Sequence, residues 1–181
     1  MRTLQQEVED NRKNIRHDAL TYSVSELVNM HRDGEILIRL RPDFQRLFRW
    51  TIVQQTSFIE SLLLEIPIPP LFFFERSDGK WELLDGLQRI STIIKFIGSS
   101  QDVPPEYKGE EHNDDDWHEE HQNDLDIPLQ LIAGEYLTHL NGMTYIRLPT
   151  PLQLNLKRSR LSVYVLKRET HEVYKYEVFK G

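Results

Sequence analysis

Three prolines within four residues, Pro67, Pro69 and Pro70, place the strongest single constraint on how this chain can fold. Proline has no amide hydrogen and disfavours helical geometry in the residue before it, so a helix cannot continue through this point. Upstream, apolar residues recur at helical spacing between residues 52 and 66, and downstream the chain continues as "LFFFE". The prolines therefore predict that a helix ends here and that extended structure begins.

Two short strands are predicted directly after the prolines. The segments "LFFFE" and "WELL" flank "RSDGK", whose Asp-Gly pair is a strong signal for a β-hairpin. The second strand leads into "DGLQR", after which Leu87, Ile90, Ile94 and Ile97 mark a helix that Gly98 ends. The spacing thus predicts a hairpin followed at once by a helix.

Other elements are predicted from caps and periodicity. Ser23 and Glu26 form a capping box, which predicts a helix from about Val24 to Asp33 with Gly34 as its C-cap. Thr51 and Gln54 can cap the helix before the prolines. Its predicted apolar face consists of Ile52, Phe58, Ile59, Leu62, Leu63 and Ile66. We further predict strands at "EILIRL" and "LSVYVL", a short helix at "GEYLTHL" and a terminal helix at "ETHEVYKYEVF".

The strand-to-helix junction at "LLDGLQRISTI" carries the clearest chemical signal. A helix that begins near Gly86 leaves unpaired backbone N–H groups, and these together with the helix dipole suit an anion. Arg89 on the first turn can add a bidentate contact, and Asp85 can cap the helix or hold a ligand-bound cation. A purely structural interpretation fits equally well: Asp85 as N-cap, Gly86 for the turn, and Arg89 in a surface salt bridge.

A second cluster precedes the proline-terminated helix. "RPDFQRLFRW" interleaves arginines with aromatic residues, which offers both cations and stacking surfaces to a nucleotide. We interpret Phe48 and Trp50 as core anchors and Arg46 as a ligand-facing residue.

Charge is distributed unevenly along the chain. The net charge is −7, but residues 110 to 126 hold nine acidic residues and no Lys or Arg, so the remainder carries about +2. We expect a poorly packed acidic insertion at about residues 100–126. Three histidines in it, His112, His118 and His121, lie among Asp114, Asp115 and Asp116 and could bind a divalent metal, although a solvated insertion is the commoner outcome for this composition.

The ordered motifs together carry a family resemblance. "PDFQRxxxW", "IESLLLEIPIP" and "DGLQRISTI" resemble a large bacterial family with a D-G-Q-Q-R signature, and in particular the N-terminal domain of GmrSD-type modification-dependent restriction systems. The resemblance is strong over residues 22 to 97 and looser over residues 145 to 166. It implies an α+β fold, similar to ParB and sulfiredoxin, in which a small mixed sheet is flanked by helices. The implied domain organisation is an N-terminal extension at residues 1–20 and one ParB-like domain at residues 21–181.

The resemblance also implies a function in DNA restriction and phage defence. It implies a domain that binds or hydrolyses a nucleoside triphosphate and that meets DNA through its own or a partner's nuclease domain of the HNH type. Mg²⁺ is inferred because it usually accompanies a triphosphate. Carried over to this sequence, the catalytic residues are Asp85, Gln88 and Arg89, with Asp85 as metal ligand. The nucleotide-binding residues are Gln45, Arg46, Gly86, Arg89 and Thr92.

Two departures from the family pattern stand out. Position 87 is Leu where the signature has Gln, and the helix pattern allows Leu87 to face the core. The chain also ends at "YEVFKG" without the F-x-R-x-N-x-G type element or an H-N-H motif, so we expect a C-terminally truncated protein or a minimal module. The alternative function is therefore a non-enzymatic interaction or regulatory module with the same fold.

Compartment is predicted from features that the sequence lacks. No apolar stretch reaches the roughly 18 to 20 residues that a membrane-spanning helix needs, and the N-terminus has no signal-peptide core. The chain has no cysteine. These features predict a cytoplasmic protein with no membrane partner; the oligomeric state is not predicted.

Overall fold

The computed structural model describes residues 2–38, 50–98 and 128–168. These residues form five α-helices and one five-stranded mixed sheet, which confirms the predicted α+β class. The helices are α1 Leu4–Arg12, α2 Val24–Arg32, α3 Ile52–Leu63, α4 Leu87–Ile97 and α5 Thr150–Arg158. The strands are β1 His17–Ser23, β2 Ile36–Leu37, β3 Leu71–Glu75, β4 Trp81–Asp85 and β5 Arg160–Leu166.

Two compact units make up the chain. The described part of the first unit comprises residues 2–38, 68–87 and 160–168, and contains α1, α2 and all five strands. The described part of the second unit comprises residues 50–67, 88–98 and 128–159. It contains α3, nearly all of α4, and α5.

The sheet of the first unit has the strand order β1-β5-β3-β4-β2. Strand β5 pairs antiparallel with β1 and parallel with β3, while β4 pairs antiparallel with β3 and parallel with β2. Alternate residues of β5, Leu161, Val163 and Val165, are buried, as the period of a half-buried strand requires. Helix α2 packs on β1 and β2 and buries Val24, Leu27 and Val28.

Local signals in the first unit give the structures that they predict. Ser23 and Glu26 form both hydrogen bonds of the capping box at the start of α2. The Asp-Gly turn joins β3 to β4, and the carboxylate of Asp78 accepts a hydrogen bond from the Lys80 amide at 3.1 Å. Strand β5 coincides with the predicted "LSVYVL" strand.

The second unit is built from helices and a long irregular segment. Buried apolar side chains come from α3, α4 and the segment after residue 128, among them Ile59, Ile93, Phe96 and Leu131. The ring of Phe96 meets that of Tyr145 edge-on at 6.0 Å between centroids. The capping box of Thr51 and Gln54 at the start of α3 is present as predicted.

Several predictions about elements differ from the structure. Ile52 and Ile66 are 37% and 44% exposed, because Ile52 lies in the first turn of α3 and Ile66 lies beyond its end at Leu63. "GEYLTHL" forms only a short 3₁₀ turn at Thr138–Leu140, and α5 was not predicted at all. Helix α1 and the start of β1 fall within residues 1–20, which the sequence analysis assigned to an extension.

Other predictions lie outside the described residues. These are the acidic insertion with its histidines, the last two residues of "EILIRL" and the terminal helix. The described part of "EILIRL" contains β2 at Ile36–Leu37. Within the part of the chain that the structure describes, no helix combines the length and the apolar character needed to cross a membrane.

Candidate functional site

The D-G-L-Q-R segment forms the junction between β4 and α4. Asp85 is the last residue of β4 and is exposed, and Leu87 is the first residue of α4. Between them Gly86 is buried and adopts φ = 101°, a left-handed conformation that residues with a Cβ rarely tolerate. The predicted need for glycine at this turn is therefore met by its backbone conformation. Leu87 is half-buried, so it meets only in part the expectation that it faces the core.

Gln88 links the start of α4 to the residue before the capping box of α3. Its Oε1 accepts a hydrogen bond from the backbone N–H of Trp50 at 2.9 Å. The two residues are 38 positions apart, so this contact fixes the two helix starts relative to each other within the second unit. The sequence analysis placed Gln88 among the catalytic residues; in the structure its amide oxygen accepts a hydrogen bond from the protein backbone.

Thr92 lies one turn further along α4. Its side chain is only 2% exposed, and its hydroxyl donates to the Gln88 carbonyl oxygen at 2.7 Å. A hydroxyl used in this way has its donor satisfied inside the helix. Its contact with a nucleotide stays a prediction.

Arg89 is half-buried on the first turn of α4. This places a guanidinium at the end of the helix where backbone N–H groups and the helix dipole favour an anion. The phosphate role of Arg89 and the metal role of Asp85 stay predictions. Gln45 and Arg46, the predicted nucleotide contacts from the first motif, lie outside the described residues.

Glutamine side chains bind both the backbone N–H and the backbone carbonyl of Trp50. While Gln88 accepts its N–H, the Nε2 of Gln55 donates to its carbonyl oxygen at 3.0 Å. The indole ring lies 5.5 Å from the ring of Phe58, centroid to centroid. The expectation that Trp50 anchors the core agrees with this half-buried, clamped position.

The opposite end of α3 carries a buried carboxylate. Glu60 is 3% exposed and accepts hydrogen bonds from three successive backbone N–H groups, those of Glu135, Tyr136 and Leu137, at 3.2, 2.8 and 2.6 Å. One turn earlier, Thr56 Oγ1 accepts the N–H of Ile132 at 3.3 Å. Side chains of α3 thus fix the backbone of the segment at 132–137.

A glycine makes room for that carboxylate. A Cβ added at Gly134 would lie 2.3 Å from Glu60 Oε1, closer than any real contact. Glycine is therefore required here by the close approach of the glutamate.

Sequence reasoning missed Gln55, Thr56 and Glu60. Each interrupts the apolar periodicity of α3 at a position that is buried or half-buried. Because a buried polar group is retained only when it is hydrogen-bonded, such interruptions are the available signal. The signal does not reveal the partners, which are distant in sequence.

The second unit has a small excess of basic over acidic side chains among its described residues. Its described residues include five Lys or Arg and three Glu, and the Glu60 carboxylate is already satisfied by N–H groups. The cationic residues are Arg89, Lys95, Arg147, Lys157 and Arg158. Burial raises the pKa of the Tyr145 phenol, which keeps that group neutral. No cluster of His, Asp and Glu with metal-binding geometry occurs among the residues that the structure describes.

Comparison with known protein families gives one match. The chain fits the family model described as GmrSD restriction endonuclease, N-terminal domain, over residues 24–180. No curated protein and no solved structure matches the chain.

Proposed function

Because the chain belongs to the family of GmrSD restriction endonuclease N-terminal domains, we propose that it binds a nucleoside triphosphate with Mg²⁺ at the start of α4. In this proposal the domain supplies the nucleotide-dependent part of a restriction protein that acts in defence against foreign DNA. Arg89 binds the phosphates, and Asp85 holds the magnesium ion or a water molecule bound to it.

The observation that carries the proposal is the conformation of the D-G-L-Q-R segment. Gly86 takes a left-handed φ of 101° directly before α4, and Arg89 follows within the first turn. A glycine in such a turn lets a ligand approach the backbone closely, and the N–H groups in the first turn of a helix are suited to phosphate oxygens.

A second candidate is a module that binds a partner or a nucleotide without turnover. Gln88 and Thr92, two residues predicted to serve the ligand, use their side chains in hydrogen bonds within the protein. A site whose polar side chains support the framework can keep binding while it lacks groups for chemistry. Nucleotide binding is compatible with both candidates, so where a nucleotide binds, turnover separates them.

The test is calorimetric titration of ATP, GTP, CTP and UTP into the protein, with and without magnesium, followed by an assay for phosphate release. The proposal expects binding of at least one of the four, tighter with magnesium. Phosphate release would then support a hydrolase, and binding without release would support the module without turnover. Binding of none of the four, with a folded protein, contradicts the nucleotide proposal and leaves the module that binds a partner.

The role of Asp85 is tested separately with Asp85→Asn. Asparagine caps a helix about as well as aspartate, so stability should hold while the magnesium-dependent gain in affinity is lost. An unchanged magnesium dependence would remove Asp85 from the metal.

A further inference from the structure

Gln55 has one half of its carboxamide bonded and the other half unused. Its Nε2 donates to the Trp50 carbonyl oxygen at 3.0 Å. This bond fixes the orientation of the amide, because a flipped amide would place Oε1 against another oxygen. Because Nε2 faces the Trp50 carbonyl oxygen, the Oε1 atom of the same amide points away from it.

That oxygen is buried and accepts no hydrogen bond. Among the side chains that the structure describes, only two buried polar atoms have no partner, Gln55 Oε1 and Thr144 Oγ1. A buried acceptor without a donor costs about 1–3 kcal/mol, so each such atom requires an explanation. A threonine hydroxyl can rotate to find a partner, whereas the Gln55 amide is held in place by Trp50.

The unused oxygen is connected to the family motif. Gln88 belongs to D-G-L-Q-R and holds the N–H of Trp50, and Gln55 holds the carbonyl of the same residue. The side-chain amides of Gln88 and Gln55 therefore bind the backbone of the same residue, Trp50. All three residues belong to the second unit.

The chemistry of the atom restricts its partner. A carboxamide oxygen accepts hydrogen bonds and repels phosphate oxygens, which are themselves acceptors and carry negative charge. Its partner must be an O–H or N–H donor. A nucleotide bears such donors only on its sugar and its base, at the end away from the terminal phosphates.

We infer that Gln55 is a specificity-determining residue, whose Oε1 accepts a hydrogen bond from a sugar hydroxyl or a base N–H of the nucleotide. The inference rests on the proposed function and adds to it that Gln55 recognises the sugar or the base of the nucleotide. Since the atom is covered by protein, a neighbouring side chain must shift when the donor arrives; side-chain rearrangement of this kind is common on binding.

The experiment is a cycle that combines a protein change with a ligand change. Titrations compare the parent protein and Gln55→Met, using the tightest-binding nucleoside triphosphate, its 2′-deoxy and 3′-deoxy forms, and the other three bases. Removing the donor that Gln55 binds should weaken binding to the parent by about tenfold or more, because an acceptor is left buried and unpaired. The same ligand change should have no effect on Gln55→Met.

The arms of the experiment separate the two donors. If a deoxy nucleotide binds more weakly to the parent but not to Gln55→Met, the donor is a sugar hydroxyl. If a change of base gives this result, the donor is on the base. Equal sensitivity of parent and Gln55→Met to every analogue overturns the inference, and would mean that a water molecule or the framework alone uses the oxygen. Binding of no nucleotide by the parent is a different result, which defeats the proposed function itself.

Two controls keep the result interpretable. Gln153→Met changes a glutamine of the same unit whose Nε2 binds the Leu148 carbonyl, and should leave nucleotide discrimination as in the parent. Should Gln55→Met fail to fold, Gln55→Leu replaces it, and the analogue series on the parent alone still decides: no preference among the sugars and bases contradicts the inference.

Discussion

The two units of this chain are held in shape by different kinds of hydrogen bond. In the first unit, backbone hydrogen bonds between strands hold distant segments together. Strands β1 and β5 pair along seven consecutive positions, from His17 with Leu166 to Ser23 with Arg160. In the second unit, side chains of α3 hold the backbone of a segment that lies 75 to 77 residues later in the sequence. A strand ladder tolerates many side chains, whereas the second arrangement depends on single residues.

The difference shows where polar side chains matter. In the first unit Lys167 forms ion pairs with Asp18 at 3.0 Å and Glu75 at 3.4 Å, at partly exposed positions. In the second unit Glu60 is buried and serves three N–H groups. Exposed ion pairs contribute about 0–1 kcal/mol, whereas a hydrogen bond to a charged acceptor contributes about 1.5–3 kcal/mol. The family motif joins these two kinds of structure along the chain at residues 85–89.

The largest expected effect follows from removing Glu60. Glu60→Ala removes the buried carboxylate that accepts from three N–H groups and should lower the free energy of unfolding by about 2–4 kcal/mol. Urea unfolding followed by circular dichroism measures it. Lys167→Met in the first unit and Glu65→Ala near the same helix are matched controls, each expected to cost less than about 1 kcal/mol. A loss for Glu60→Ala no larger than for these controls would contradict the claim that the second unit depends on single side chains.

A smaller effect is expected at Gly134. Because its Cβ would meet Glu60 Oε1 at 2.3 Å, Gly134→Ala should cost about 1–3 kcal/mol through local overpacking. In the background of Glu60→Ala the same change should cost almost nothing, since the clashing carboxylate is gone. The four unfolding free energies of this cycle give the coupling directly; additive losses would show that Gly134 is needed for another reason.

The helix caps should behave alike in both units. Ser23 caps α2 in the first unit and Thr51 caps α3 in the second, each through a complete capping box. Replacement of either by alanine should cost about 1 kcal/mol, because a cap satisfies only local N–H groups. Thermal melting of Ser23→Ala and Thr51→Ala compares them. A much larger loss for Thr51→Ala would mean that the cap also supports the Trp50 clamp.

The smallest effects appear at alkaline pH, one from each unit. The hydrogen bond from its ammonium to Asp18 raises the pKa of Lys167, and burial raises the pKa of Tyr145. A raised folded-state pKa gives stability that is complete below the ordinary value, about 10 for both groups, and is lost as the pH rises through the raised value. Unfolding free energies between pH 9 and about 11.5 should therefore fall, and the fall should be shallower in Lys167→Met and in Tyr145→Phe. An unchanged slope in both variants would contradict the assignment.

The same contrast explains how far the sequence could be read. The capping boxes of Ser23 and Thr51, the Asp-Gly hairpin and β5 follow from rules that act over a few residues, and all are present. Helix α5 was missed because prolines at its first turn resemble a break, although Pro149 and Pro151 are tolerated where no intrahelical donor is needed. Strand β1 was missed because its pairing partners lie 137 to 149 positions away.

For the candidate site, the residue types of the motif could be identified but not their contacts. The turn at Gly86 and the helix after it follow from the sequence, and the φ of 101° agrees with them. That Gln88 holds Trp50, and that Gln55 and Glu60 are buried on α3, depends on packing between segments far apart in the chain. No local rule contains that information.

The measurement that tests the central claim most directly is the titration of the tightest-binding nucleoside triphosphate, with magnesium, into the parent, Arg89→Ala and Arg158→Ala. Arg158 is an exposed arginine at the end of α5 in the same unit and carries the same charge. A charge-assisted phosphate contact contributes about 1.5–3 kcal/mol, so Arg89→Ala should weaken binding by roughly ten- to a hundredfold while Arg158→Ala binds as the parent does. Equal affinity of the parent and Arg89→Ala would place any nucleotide elsewhere and leave the D-G-L-Q-R segment as a structural turn.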